Sequence, residues 1–138
     1  MNREQLQLLA TIRIKEASVL YKSGCFAGAY YLSGYAVECA LKACIAKQTR
    51  KHDFPNRKLA QDAWVHDLEK LVGTAGVWTK LSREMQSNKA LEVNWAIVKD
   101  WSETSRYEPD VTEILARDLL KAIESKRDGV LTWIKRRW

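Results

Sequence analysis

Residues 26–47, FAGAYYLSGYAVECALKACIAK, decide the fold. Phe26, Ala29, Tyr30, Ser33, Val37, Ala40, Leu41 and Cys44 keep the three- and four-residue spacing of a helical face. Ala27, Gly28, Ala29, Ser33, Gly34, Ala36 and Ala40 are small, so neighbouring backbones can approach closely. A glycine inside a helix costs about 1 kcal/mol against alanine, and close packing is the physical reason to keep Gly28 and Gly34 there. The stretch is expected to be the central and most buried helix.

Outward from it, residues 3–23 place Leu6, Leu9, Ala10, Ala17, Leu20 and Tyr21 on one stripe, and Ser23-Gly24 supplies the stop. Residues 48–65 lose periodicity around Pro55 and Asn56, which predicts a loop with at most one short turn. His66-Asp67 then opens HDLEKLVGTAG, a short helix with Leu68, Leu71 and Val72 inward and acidic residues at its positive end. Val77, Leu81, Met85, Leu91, Trp95 and Val98 predict one broken helix or two short ones over residues 77–101. SETSRYEPD, residues 102–110, reads as a second loop, with Pro109 suited to a helix start and Asp110 or Thr112 to the first turn. Val111, Leu115, Leu119, Ala122, Ile123, Val130 and Ile134 make a last stripe bent at Gly129. The expectation is an all-α, up-and-down bundle of four main helices plus a short one, in one domain over residues 1–138.

Composition agrees. The 138 residues are 46% hydrophobic and 29% charged, with six glycines and two prolines, too few turn signals for an all-β chain. Glu38, Lys42 and Lys47 interrupt the longest apolar run, so no membrane span is expected. The first residues lack the basic, apolar, small-residue order of a secretion signal, which makes the cytoplasm the expected compartment. Three cysteines are an odd number, and Cys39 and Cys44 point to different faces of one helix. They predict small core residues, with neither a disulfide frame nor a zinc site. The net charge is +6. It gathers at Lys47, Arg50, Lys51, Arg57 and Lys58, opposed there only by Asp53, and again at Lys135, Arg136 and Arg137, a sign that suits phosphates.

Phosphate-loop, dinucleotide, zinc-protease and zinc-finger motifs are absent from the sequence, and His52 and His66 are its only histidines. No metal ligand set and no cofactor are expected. The chemistry-bearing group is Glu38 and Lys42, one turn apart on the apolar helix, with Arg106 and Tyr107 in the loop before the last stripe. A carboxylate on a buried helix needs a partner. One reading makes Glu38 and Lys42 an i,i+4 pair at the helix edge. The other has Glu38 anchoring Arg106, whose planar fork suits a phosphate. His66 caps the short helix or, beside Arg106, transfers a proton. Six tryptophans, at helical spacings, read as core or dimer contacts, except Trp138 beside Lys135-Arg136-Arg137, which reads as exposed or held by a partner.

These residues carry a resemblance. GCFAGAYYLSGYAVECALKACIAK resembles the signature helix of the HEPN domain, with its acidic residue followed by Ala-Leu-Lys. WVHDLEKLV resembles that family's His-Asp-Leu helix start, and WSETSRYEPD its Trp, Arg-Tyr, acidic loop. The resemblance implies a helical bundle that often forms homodimers, a setting in prokaryotic toxin-antitoxin or defence systems beside a small nucleotidyltransferase partner, and in many members RNA cleavage without metal. Catalytic members carry Arg, four to six residues, then His. Here Ile45, Ala46 and Lys47 precede His52 at those distances, and Leu59, Ala60 and Gln61 precede His66. The expected function is therefore binding of nucleotide, RNA or a partner nucleotidyltransferase through Glu38, Lys42, Arg50, Lys51, Arg106 and Tyr107. A metal-independent endoribonuclease using Arg106 with His66 is the alternative, and a structural dimerisation module the third reading.

Overall fold

The computed structural model describes residues 1–49, 54 and 56–138. Helix α1 (Arg3–Lys22) opens with a capping box: Asn2 Oδ1 accepts the Gln5 N–H at 2.8 Å, and Gln5 Oε1 accepts the Asn2 N–H at 2.9 Å. It closes on Gly24 at φ +80°, where the Cys25 N–H reaches Leu20 O at 2.8 Å and the Gly24 N–H reaches Tyr21 O at 3.0 Å. That double closure needs a left-handed residue, which glycine adopts without a Cβ clash. The chain turns at once into α2 (Phe26–Lys47), which runs back along α1. Lys47 Nζ donates to Arg137 O and an Arg3 guanidinium N–H to Trp138 O, so the start of α1 and the end of α2 meet the same C-terminal residues.

Two seven-residue helices follow, α3 (Arg57–Ala63), capped by Asn56, and α4 (Leu68–Thr74), capped by Asp67. Helices α5 (Trp78–Ser87) and α6 (Lys89–Lys99) are separated by Asn88, whose extended backbone ends one while its side chain accepts the Leu91 N–H of the next. A 3₁₀ helix (Glu103–Tyr107) leads to α7 (Glu113–Glu124) and α8 (Val130–Lys135). Among the described residues there are eight α-helices, no strand, and no helix long and apolar enough to cross a membrane.

Helix α2 is the axis of this all-helical bundle. Twelve of its residues are buried, and α1, α4, α7, α8 and the 3₁₀ helix all pack on it. Leu41, Leu71, Leu119, Ile123 and Ile134 are almost wholly removed from water, each worth roughly 1.5–3 kcal/mol of burial. Cys39 and Cys44 are buried among them as expected.

Four local expectations change. The predicted loop at 48–65 contains α3, which has no fully buried residue and so left no apolar stripe to detect. The last stripe is two helices rather than one bent helix: a turn over 125–128 divides it, and a Cβ at Gly129 would press on the Ile123 and Ser125 carbonyl oxygens at 2.5 Å. Helix α7 begins at Glu113, capped by Thr112, whose hydroxyl accepts the Leu115 N–H, and Pro109 lies outside it. Trp138 is half-buried and held by its own chain, with Lys135 Nζ 5.7 Å from its ring centre.

Candidate functional site

Glu38 sits where α2 is most enclosed, and its side chain is 2% exposed. Its Oε1 accepts from Lys42 Nζ, one turn on, at 2.9 Å and pairs with His66 Nδ1 at 2.8 Å. Its Oε2 is buried with no hydrogen-bond partner. Burying a carboxylate costs several kcal/mol unless a cation and donors compensate it. Lys42 and His66 do so while remaining 21% and 46% exposed, which keeps one side of the cluster wet. A carboxylate oxygen only accepts, so Nδ1 carries the hydrogen and Nε2 is the ring nitrogen left for anything outside. Asp67, the next residue, caps α4 by accepting the Lys70 N–H, so His66 has no capping role.

His66 lies in the wall between two cavities. One, of about 380 Å³, is polar and is also lined by Lys99, Trp101, Ser102 and Glu103. The other, of about 640 Å³, is mostly apolar, with Leu6, Ile45, Leu59 and Trp64 around Lys42.

Arg106 occupies the last turn of the 3₁₀ helix, in solvent, with its guanidinium 4.7 Å from the ring centre of the exposed Tyr107. Its pKa is raised, chiefly through Tyr107 and less through Tyr31. Tyr31 stacks on Tyr35, one turn along α2, at 6.1 Å and 13°, and on Trp101 at 6.1 Å and 25°. Trp101 lies flat against Gly34, where a Cβ would overlap the indole; the small residue at 34 is what admits the ring. Burial, with Cys39 next in effect, pushes the Tyr35 hydroxyl up to about 12, and burial followed by the charge of Glu38 pushes the Cys39 thiol up to about 11. Near neutral pH both are uncharged, so neither is an activated base or nucleophile.

Of the residues singled out from the sequence, the fold joins Glu38, Lys42 and His66 into one cluster. Arg106 is not part of it: Lys42 and His66 are the partners of Glu38, whose second oxygen is left without one among the described residues, and Arg106 lies in solvent over Tyr107. Arg50 and Lys51 fall outside the described residues. Tyr31, Tyr35 and Trp101 form an aromatic stack along α2 that the sequence reading does not place in the site; an i,i+4 aromatic pair on the signature helix is the available signal. Among the described residues no set of three His, Cys, Asp or Glu side chains is placed to hold a metal ion.

An all-helical bundle whose axial helix buries a carboxylate, with an Arg-Tyr turn and a His-Asp-Leu helix start laid against it, defines a class of small helical domain. The chain belongs to the HEPN family: the HEPN domain model matches residues 7–136, nearly its whole length. No curated protein and no solved structure matches it.

Proposed function

We propose that this HEPN chain binds nucleotide or RNA, as a homodimer, in a two-component toxin-antitoxin or defence system with a nucleotidyltransferase partner. The observation that carries the reading is Arg106, a guanidinium in solvent over the exposed ring of Tyr107. A cation for phosphate beside aromatic faces for bases is the pairing that binds single-stranded nucleic acid without a sequence code. Lys42, on α2, and His66, in the segment before α4, belong to the separate Glu38 cluster.

A second reading has one observation in its favour. Glu38 orients His66 through Nδ1 and leaves Nε2 outward, the arrangement a general acid or base needs. With Arg106 as the cation, the chain would be a metal-independent endoribonuclease. Against it stands the missing Arg-to-His spacing, and Arg106 lies over Tyr107 and makes no contact with the Glu38 cluster.

The test is incubation of the purified chain with single-stranded and structured RNA in chelator, following anisotropy and product length together. Saturable binding that Arg106→Ala weakens, with the RNA intact, is the expected result. Cleavage lost in both Arg106→Ala and His66→Ala would establish the second reading. Absence of binding at low salt would end both.

A further inference from the structure

On the other side of the 3₁₀ helix lies a cleft of opposite character. Asp100, Glu108 and Asp110 line a cavity of about 270 Å³ together with Tyr30, Ser105 and Leu115. None of the three carboxylates makes an ion pair among the described residues, in a chain whose net charge is +6. Ser105 is 8% exposed, and its hydroxyl is buried without a hydrogen-bond partner. Burial raises the pKa of Tyr30, and Asp100 raises it further, so its hydroxyl is neutral near pH 7. The cleft therefore offers acceptors and negative charge, and nothing in its lining neutralises them.

We propose that this cleft receives the guanidinium of an arginine presented by a protein partner. A metal ion does not fit, since no three acidic, histidine or cysteine side chains among the described residues come close enough to share one. A guanidinium does, because it spreads one charge over five donors in a planar fork and can reach several separated acceptors at once. The volume falls below the roughly 300–1,000 Å³ of small-molecule sites and suits a single side chain. The source is a protein rather than a free polyamine, because Leu115 lines the cleft beside Val111 and stands exposed, and Ile114, next to Leu115 in the chain, is exposed as well. Those aliphatic groups suit the apolar residues that flank an arginine in a polypeptide, which a free polyamine does not carry.

The probes are the tripeptide Ac-Leu-Arg-Leu-NH₂ and its citrulline counterpart, which keeps the shape and lacks the charge, titrated into the whole chain and followed by amide chemical shifts. The arginine peptide is expected to saturate, with shifts centred on residues 100–115, and to bind at least about tenfold more tightly than the citrulline peptide. D100N/D110N is expected to abolish that difference and Ser105→Ala to weaken binding severalfold. E108Q provides a second variant should the double substitution disturb folding, which circular dichroism reports. Equal binding of the two peptides, or an arginine peptide unaffected by D100N/D110N and by E108Q, overturns the proposal. Spermidine that binds at the same residues as tightly as the arginine peptide overturns the assignment to a protein. Arg106 lies outside the cavity lining, so RNA binding by the wild-type chain stands or falls separately.

Discussion

His66 Nδ1 lies 2.8 Å from Oε1 of Glu38, a carboxylate 28 positions away on α2 whose side chain is almost entirely buried. Lys42 Nζ shares the same oxygen. Removing the acid strands a partly buried ammonium and leaves a void beside Cys39. Loss of one partner from a fully buried pair costs about 3–5 kcal/mol; because Lys42 and His66 can turn toward water, Glu38→Ala is expected to cost about 2–3 kcal/mol. Glu38→Gln keeps the volume and an acceptor for both donors and should cost about 1 kcal/mol. Urea denaturation reads both as a lower midpoint at unchanged slope. An alanine variant within about 0.5 kcal/mol of wild type would mean that the cluster holds nothing together.

The small residues of α2 make a second prediction, read by comparing two glycines. At Gly34 a methyl group would overlap the Trp101 indole, a rigid ring buried to 3%. Overpacking of this kind costs about 1–3 kcal/mol, and the displaced ring carries the 3₁₀ helix and Arg106 with it. At Gly73, inside α4, a Cβ would meet nothing within 4 Å. Gly73→Ala is therefore expected to stabilise by about 0.5–1 kcal/mol through helix propensity and a less flexible unfolded chain. Opposite shifts in thermal midpoint are the outcome to look for.

The thiols give a third. Cys39 is raised to about 11 in the folded chain by burial and then by Glu38, so it stays protonated in the native state where the unfolded chain already ionises. A raised folded pKa supplies stability that is complete below the unfolded value near 9 and is lost as pH rises through about 11. Stability should thus fall across that window, by on the order of 2 kcal/mol from this group. Tyr35, raised to about 12 chiefly by burial, continues the decline upward. Cys39→Ala should flatten the first part of the curve. In native protein near pH 8 only the exposed Cys25 should take up a thiol reagent, with Cys39 and Cys44 reacting on unfolding.

How much of this the residues announce depends on the range of the interaction. Helix α2 is legible to its end residues because its periodicity, its small residues and the glycine stop before it all act within a few positions. The Glu38–Lys42 pair is legible for the same reason. The partner of Glu38 is not, since His66 arrives through a fold-level closure across a segment with no periodic signal. A buried carboxylate calls for a cation or donor, and Arg106 satisfied that demand on paper as well as His66 does in the fold. Helix α3 escaped because RKLAQDA buries nothing fully, and the division of the last stripe into α7 and α8 escaped because apolar residues stay in phase on both sides of the turn over 125–128.

The Arg-Tyr turn supplies the last prediction, one that keeps folding and binding apart. Arg106 and Tyr107 are both solvent-exposed, so the ring–guanidinium contact between them adds little to folding and alanine at either position should leave thermal stability almost unchanged. Their effects on RNA should differ in kind. In the proposed RNA-binding role Arg106→Ala is expected to remove one phosphate contact: affinity should fall for every sequence, and the slope of log K against log salt should become shallower by about 1. Tyr107→Ala removes a stacking face worth about 1–3 kcal/mol per base and leaves the salt slope as it was. Titrations of a labelled single strand at three or more salt concentrations separate the two. An unchanged slope in Arg106→Ala would remove the guanidinium from the phosphate-binding role, whatever happened to overall affinity.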